Sequence, residues 1–277
     1  MWEILLPSLA AALLVGGLCG LWGAVVVRLQ LSAVGFAMAH AAFAGAALGL
    51  VLGISPLPVS LAFSLVLAAI LGPLTETTRL PAEVVLGVVF PVTMALGFVF
   101  LSLVPGPAFS SPALSLLWGS ILGTGWRDVG LLAAILGGSG AFLLFFRREV
   151  LSILLERRLA EEAGIPTRPY TWAVLFVVGA LVAASLRLVG GILIYSLLLI
   201  PAAAAAQLAY DMKAVLVLAG SIGAAAAGLG FLASYALDLP LGAAISLVGA
   251  MFLALAVLFS PKRRRPLPHS VGDTKPL

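Results

Sequence analysis

"VGFAMAHAAFAGAALGLVLG", residues 34–53, runs for twenty positions without an Asp, Glu, Lys or Arg. At a rise of about 1.5 Å per residue, a helix of that length reaches about 30 Å, the thickness of a bilayer's hydrocarbon core. The stretch is therefore read as a membrane-crossing helix. Its one ionisable side chain is His40. An imidazole in that setting is costly unless it faces a partner or a wet cavity, so His40 is the first candidate for function.

The rest of the chain repeats the pattern. Of 277 residues, 62% are hydrophobic and 9% charged, and the mean hydropathy is +1.21. These values exclude a soluble domain. Breaks at Pro, Gly or charge leave about nine apolar segments, near residues 5–27, 34–53, 56–74, 82–104, 128–146, 170–186, 190–208, 214–236 and 240–260. The fold expected is an all-α polytopic membrane bundle of eight or nine spans forming one domain over residues 1–261, followed by a basic, disordered tail over 262–277. The start "MWEILLPSLA" carries Glu3 where a signal peptide has basic residues, and is read as a first span with no cleavage. Cys19, the one cysteine, is read as packing filler. "SSPALSLLWGSILGTG", residues 110–125, is too short to cross and is read as a half-helix or an interfacial helix on one side.

Charge sets the expected orientation. With the tail cytoplasmic, thirteen of the fifteen Lys and Arg residues fall on one side, leaving Arg127 and Arg187 outside. That asymmetry predicts an N-out, C-in topology. The net charge of +4 then follows from topology and affinity for anionic lipid, and requires no nucleic acid. Gly16 with Gly20, and Gly45 with Gly49, stand at the spacing that lets helix backbones approach closely in lipid.

The most charged stretch is "RREVLSILLERRLAEEAGIPTRPY", residues 147–170. Leu151, Leu154, Leu155 and Leu159 form one helical face, Glu156, Arg157, Arg158, Glu161 and Glu162 lie elsewhere, and "AGIP" is a stop. Such a segment either lies on the membrane as a connector or docks in a groove of another protein.

Several motifs together resemble one family. "LERRLAEEAGI" is similar to the coupling segment of importer permeases in the ATP-binding-cassette superfamily, where an acidic helix and an Ala-Gly-aliphatic turn meet the ATPase. On that resemblance Glu156, Glu161, Ala163, Gly164 and Ile165, within 147–169, face the ATPase. "LWGAVVVRLQLSAVGFAMAHAAFAGAALG", "EVVLGVVFPVTMALG", "SLLWGSILGTGWRD", "VGGILIYSLLLIPAAAAAQLA" and "SYALDLPLGAAISLV" follow, in order, the segments of the zinc/manganese (ABC-3) permease family. The resemblance implies a non-enzymatic permease subunit in a prokaryotic cytoplasmic membrane, working as a homodimer. It also implies separate ABC ATPase subunits, an extracytoplasmic metal-binding protein, zinc or manganese as cargo and no resident cofactor. The chain has no G-x-x-x-x-G-K-[ST] loop, so ATP belongs to a partner.

In the family His40 corresponds to half of an Asp-x-x-x-His pair, which i, i+4 spacing places on one helix face. Here Phe36 stands in the Asp position and Ala39 in that of a Ser. Either another helix supplies a second ligand or the cargo differs, the alternative being a cobalamin- or siderophore-like metal chelate. Other candidates for the pathway are Glu83 at its inner mouth and Asp128 and Asp238 at the outer end, each of the last two also placed to cap a helix start. An intramembrane enzyme is excluded by the lack of H-E-x-x-H or of paired intramembrane carboxylates. A transporter working alone would need inverted repeats, which the halves do not display.

Overall fold

A computed structural model describes residues 2–78, 80–104, 116, 119, 125–190 and 194–264. The segment expected as a half-helix at 110–125 falls almost wholly outside these, as does the tail beyond Arg264.

The described residues fold into helices and no strands. They are α1 (Trp2–Arg28), α2 (Ser32–Val51), α3 (Pro56–Thr78), α4 (Ala82–Ser102), α5 (Trp126–Phe145), α6 (Arg147–Leu155), α7 (Arg157–Glu162), α8 (Thr167–Val189), α9 (Ile194–Leu208), α10 (Met212–Leu237) and α11 (Leu241–Leu258), closed by a 3-10 turn at Pro261–Arg264. With no water in a bilayer core, a spanning segment must satisfy its own amides and carbonyls, and the helix does so. All nine expected apolar segments coincide with helices, seven of them long and apolar enough to cross a membrane. The described residues of α9, 15 in all, reach about 22 Å.

Two groups of helices pack around each other. α1, α9, α10 and α11 form one; α2, α3, α4 and α8 form the other, with α5 against α1 and α8. α2 is apolar all round and lies inside, touching α3, α4, α8 and α9. The glycines decide how close the pairs come. A β-carbon on Gly20 would lie 2.0 Å from the Ala219 carbonyl oxygen of α10, and one on Gly16 2.3 Å from that of Gly223. Gly45 meets Val59 and Ser60 of α3 in the same way. Contact at this range gathers dispersion attraction along whole helices, which holds a bundle together where lipid supplies no hydrophobic driving force.

The charged segment departs from expectation. A continuous helix is predicted over 147–162, but Glu156 turns extended at φ −156° and ψ 113° and separates α6 from α7. The predicted leucine face is thereby split. Leu154 is buried, whereas Leu155 and Leu159 are each 63% exposed.

Replacing Gly20 by Ala should lower stability by about 1–3 kcal/mol, because α1 and α10 must separate to admit the methyl group. The matched change Gly137→Ala, at a position with nothing within 4 Å, should be neutral or stabilising. Thermal unfolding in detergent measures both.

Candidate functional site

His40 lies two turns into α2 and is 5% exposed. Its Nδ1 is 2.8 Å from the carbonyl oxygen of Phe36, the residue one helical turn earlier. A carbonyl can only accept, so Nδ1 carries the proton and Nε2 keeps its lone pair. That is the arrangement in which metal-binding histidines are found, one nitrogen fixed by a second partner and the other presented outward.

Two aromatic rings flank the imidazole, and a third extends the cluster through Phe36. Phe36 and Phe90 meet it edge-on at centroid distances of 4.6 Å and 4.5 Å. Phe36 also packs on Phe90 at 4.4 Å and on Tyr195 at 5.0 Å. These side chains come from α2, α4 and the first turn of α9, so the cluster occupies the seam between the two helix groups. The chain reaches Tyr195 after α8 ends at Gly190, whose φ of 88° is readily adopted only by glycine. Gly35 makes room at the same seam, facing Leu198 and Tyr195.

Of the other predicted residues, Phe36 packs on His40, whereas Asp128 and Asp238 stand at helix ends. Glu83 stands in the first turn of α4. Asp128 closes a reciprocal cap at the start of α5, its Oδ2 accepting from the Gly125 amide at 2.9 Å. Asp238 does not cap a helix start: it ends α10 in the left-handed conformation, φ 53° and ψ 41°. Short polar residues tolerate that region, and Asp serves here where glycine is commoner. Among the described residues no three His, Cys, Asp or Glu side chains gather as a metal-holding group. Met38 is fully buried two positions from His40, and at that spacing it points to another face of α2.

Phe90 and Tyr195 were not singled out from sequence. Phe90 is the last residue of the "EVVLGVVF" pattern, the one local signal it carries, and Tyr195 carries none.

The segment expected to dock a partner ends in a turn of defined geometry. Ile165 N–H donates to Ala160 O and Gly164 N–H to Glu161 O, each at 3.0 Å, with Gly164 at φ 80°. This is a Schellman stop, and it accounts for Ala163-Gly164-Ile165 following an acidic helix. Glu161 faces an open cleft of about 660 Å³ lined also by Arg157, Gly164, Ile165 and Arg168. Its carboxylate accepts from the Thr167 hydroxyl at 2.5 Å and from Arg157 Nε at 3.0 Å.

These features define a class: a membrane permease whose bundle, among the described residues, buries one histidine and carries a short charged helix pair. The profile of the ABC 3 transport family matches residues 1–260, and the chain belongs to that family. It is 27% identical to the manganese transport system membrane protein MntC of Halalkalibacterium halodurans, over 95% of this chain and 89% of that one. It is 26% identical to the manganese import system permease protein ScaB of Streptococcus gordonii, over 95% and 94%. The solved structure of PsaBC from Streptococcus pneumoniae in complex with Fab superposes with a TM-score of 0.84 at 25% identity, covering 95% of this chain and 94% of that one.

The Thr167 hydroxyl, followed by Arg157, holds the Glu161 carboxyl below its ordinary value of 4.5. A carboxylate held low in the folded state supports it fully above that ordinary value and loses the support as pH falls through the lower folded value. Amide protection factors at Gly164 and Ile165 should therefore fall on acidification below about 4.5. Thr167→Val should move that loss to higher pH; an unmoved transition would detach Glu161 from the turn.

Proposed function

We propose that this chain is the membrane-spanning permease of an ABC importer that moves a bare divalent metal ion, zinc or manganese, into the cell. One observation carries the reading: a buried imidazole inside a span, with Nδ1 occupied by the Phe36 carbonyl and Nε2 left as an acceptor. Neutral imidazole suits zinc and accepts manganese. The two manganese-named relatives support this choice of cargo.

In the proposed scheme two copies form the pathway in a prokaryotic cytoplasmic membrane, N-terminus outside and C-terminus inside. ATPase subunits bind the 147–169 segment through Glu156, Glu161, Ala163, Gly164 and Ile165, and an external binding protein delivers the ion. The ion crosses by way of Asp128 and Asp238 at the outer end, His40 midway and Glu83 at the inner mouth, with Phe36 beside His40 as an apolar gate. A single nitrogen ligand holds the ion weakly, and conduction needs a site that is left as readily as it is reached. The chain needs no catalytic group and no resident cofactor for this. ATP hydrolysis belongs to the partner, and residues 262–277 serve as a basic tail against anionic lipid.

A second reading is favoured by the aromatic cluster. Phe36, Phe90 and Tyr195 offer apolar faces and no carboxylate beside His40, which suits a metal chelate whose own ligands already balance the charge.

Uptake into liposomes holding the complete transporter separates the two, with the binding protein loaded in turn with zinc, manganese, cobalamin or an iron chelate. Bare-ion uptake is expected, and stimulation of transport by a chelate alone would overturn it. His40→Ala should cut uptake at least about tenfold while ATPase docking persists. Phe36→Asp should increase metal retained by the purified protein, since it restores a carboxylate one turn from the imidazole; unchanged metal content would remove residue 36 from the pathway.

A further inference from the structure

The break at Glu156 leaves a need that a distant side chain meets. Because α6 stops at Leu155, the amides four residues on turn away, and the Leu154 and Leu155 carbonyls lose their helical donors. Arg28, the last residue of α1, supplies replacements. Its Nε donates to Leu154 O at 2.7 Å and its Nη2 to Leu155 O at 3.4 Å, across 126 and 127 positions of sequence.

On its other side Arg28 leads directly into the pathway helix. The turn from α1 to α2 is three residues long and tightly bonded, Gln30 N–H to Val27 O at 3.1 Å and Leu31 N–H to Val26 O at 2.9 Å, with Gln30 at φ 59°. Phe36 and His40 follow in the first turns of α2. Apolar side chains of the two elements, Val25 and Leu29 with Val150 and Ile153, line one crevice. Such contact is non-directional and by itself specifies no register. Beside it lies an open cleft of about 330 Å³ bordered by Arg28, Gln30, Leu154, Glu156 and Arg157. The guanidinium fork therefore fixes the register between them, as a planar donor pair does and a point charge does not.

We propose that Arg28 is the positioning residue that makes α2, and His40 with it, follow the movement of the 147–169 segment. The proposal rests on the reading of that segment as the ATPase contact. Arg28 touches neither cargo nor ATP, and its effect is on coupling.

The test is the number of ions moved per ATP hydrolysed by the complete transporter in liposomes, with manganese or zinc on the binding protein. Arg28→Ala should keep ATP hydrolysis and lower the ratio about fivefold or more, and Arg28→Lys, retaining one cationic donor, should fall between. An unchanged ratio in Arg28→Ala overturns the proposal; if that variant fails to assemble, an Arg28→Lys ratio equal to wild type does so. Hydrogen exchange on the full-length permease in nanodiscs reads the same link without any cargo. Arg28→Ala should raise exchange in both 147–162 and 32–40, and a change confined to 147–162 overturns the link. If the wild type moves no ion while exchange rises in both segments, the functional reading fails and the mechanical one stands.

Discussion

The bond from the His40 ring to the Phe36 carbonyl is the constraint around which the site is arranged. Phe36 O already serves the α-helical ladder, and its second lone pair accepts Nδ1–H without breaking that ladder. The imidazole thus meets half of its polar requirement within its own helix. The ring itself lies at the seam where α2 meets α4 and α9. Around it stand Phe36, Phe90, Leu198 and the ring of Tyr195, and among the described residues no Cys, Asp or Glu joins it in a metal-holding group of three.

That arrangement depends on how closely the helices approach. α2 is lined with alanine and glycine so that α3, α4, α8 and α9 can all reach it. α1 is drawn onto α10 through Gly16, Gly20 and Gly223 until backbone meets backbone. Bulkier residues at the α1–α10 contact would separate those two helices within their group, and bulkier residues on α2 would push its neighbours away from the helix that carries the histidine.

Much of this was legible in the sequence, for identifiable reasons. Apolar length is a direct measure of a span, so residues 34–53 and 214–236 predict α2 and α10 to within a few positions. The Gly16 and Gly20 spacing likewise predicts a close contact, though not its partner. The break at Glu156 was not legible, because "EVLSILLERRLAEE" is a run of good helix formers, and Arg28, which serves the freed carbonyls, lies more than a hundred residues away. Asp238 misled for a related reason: Asp is commonest before a helix, and here it ends one in a left-handed turn. Phe90 joined His40, and Tyr195 joined Phe36, only in the fold, since spacing along one helix carries no information about its neighbours.

The most direct measurement is X-ray absorption at the metal edge of zinc held by the full-length permease in nanodiscs, comparing wild type with His40→Gln. Imidazole back-scattering is expected in the wild type and its loss in the variant. A shell made only of oxygen in both proteins, or an imidazole signal unaltered by the substitution, would contradict a pathway role for His40.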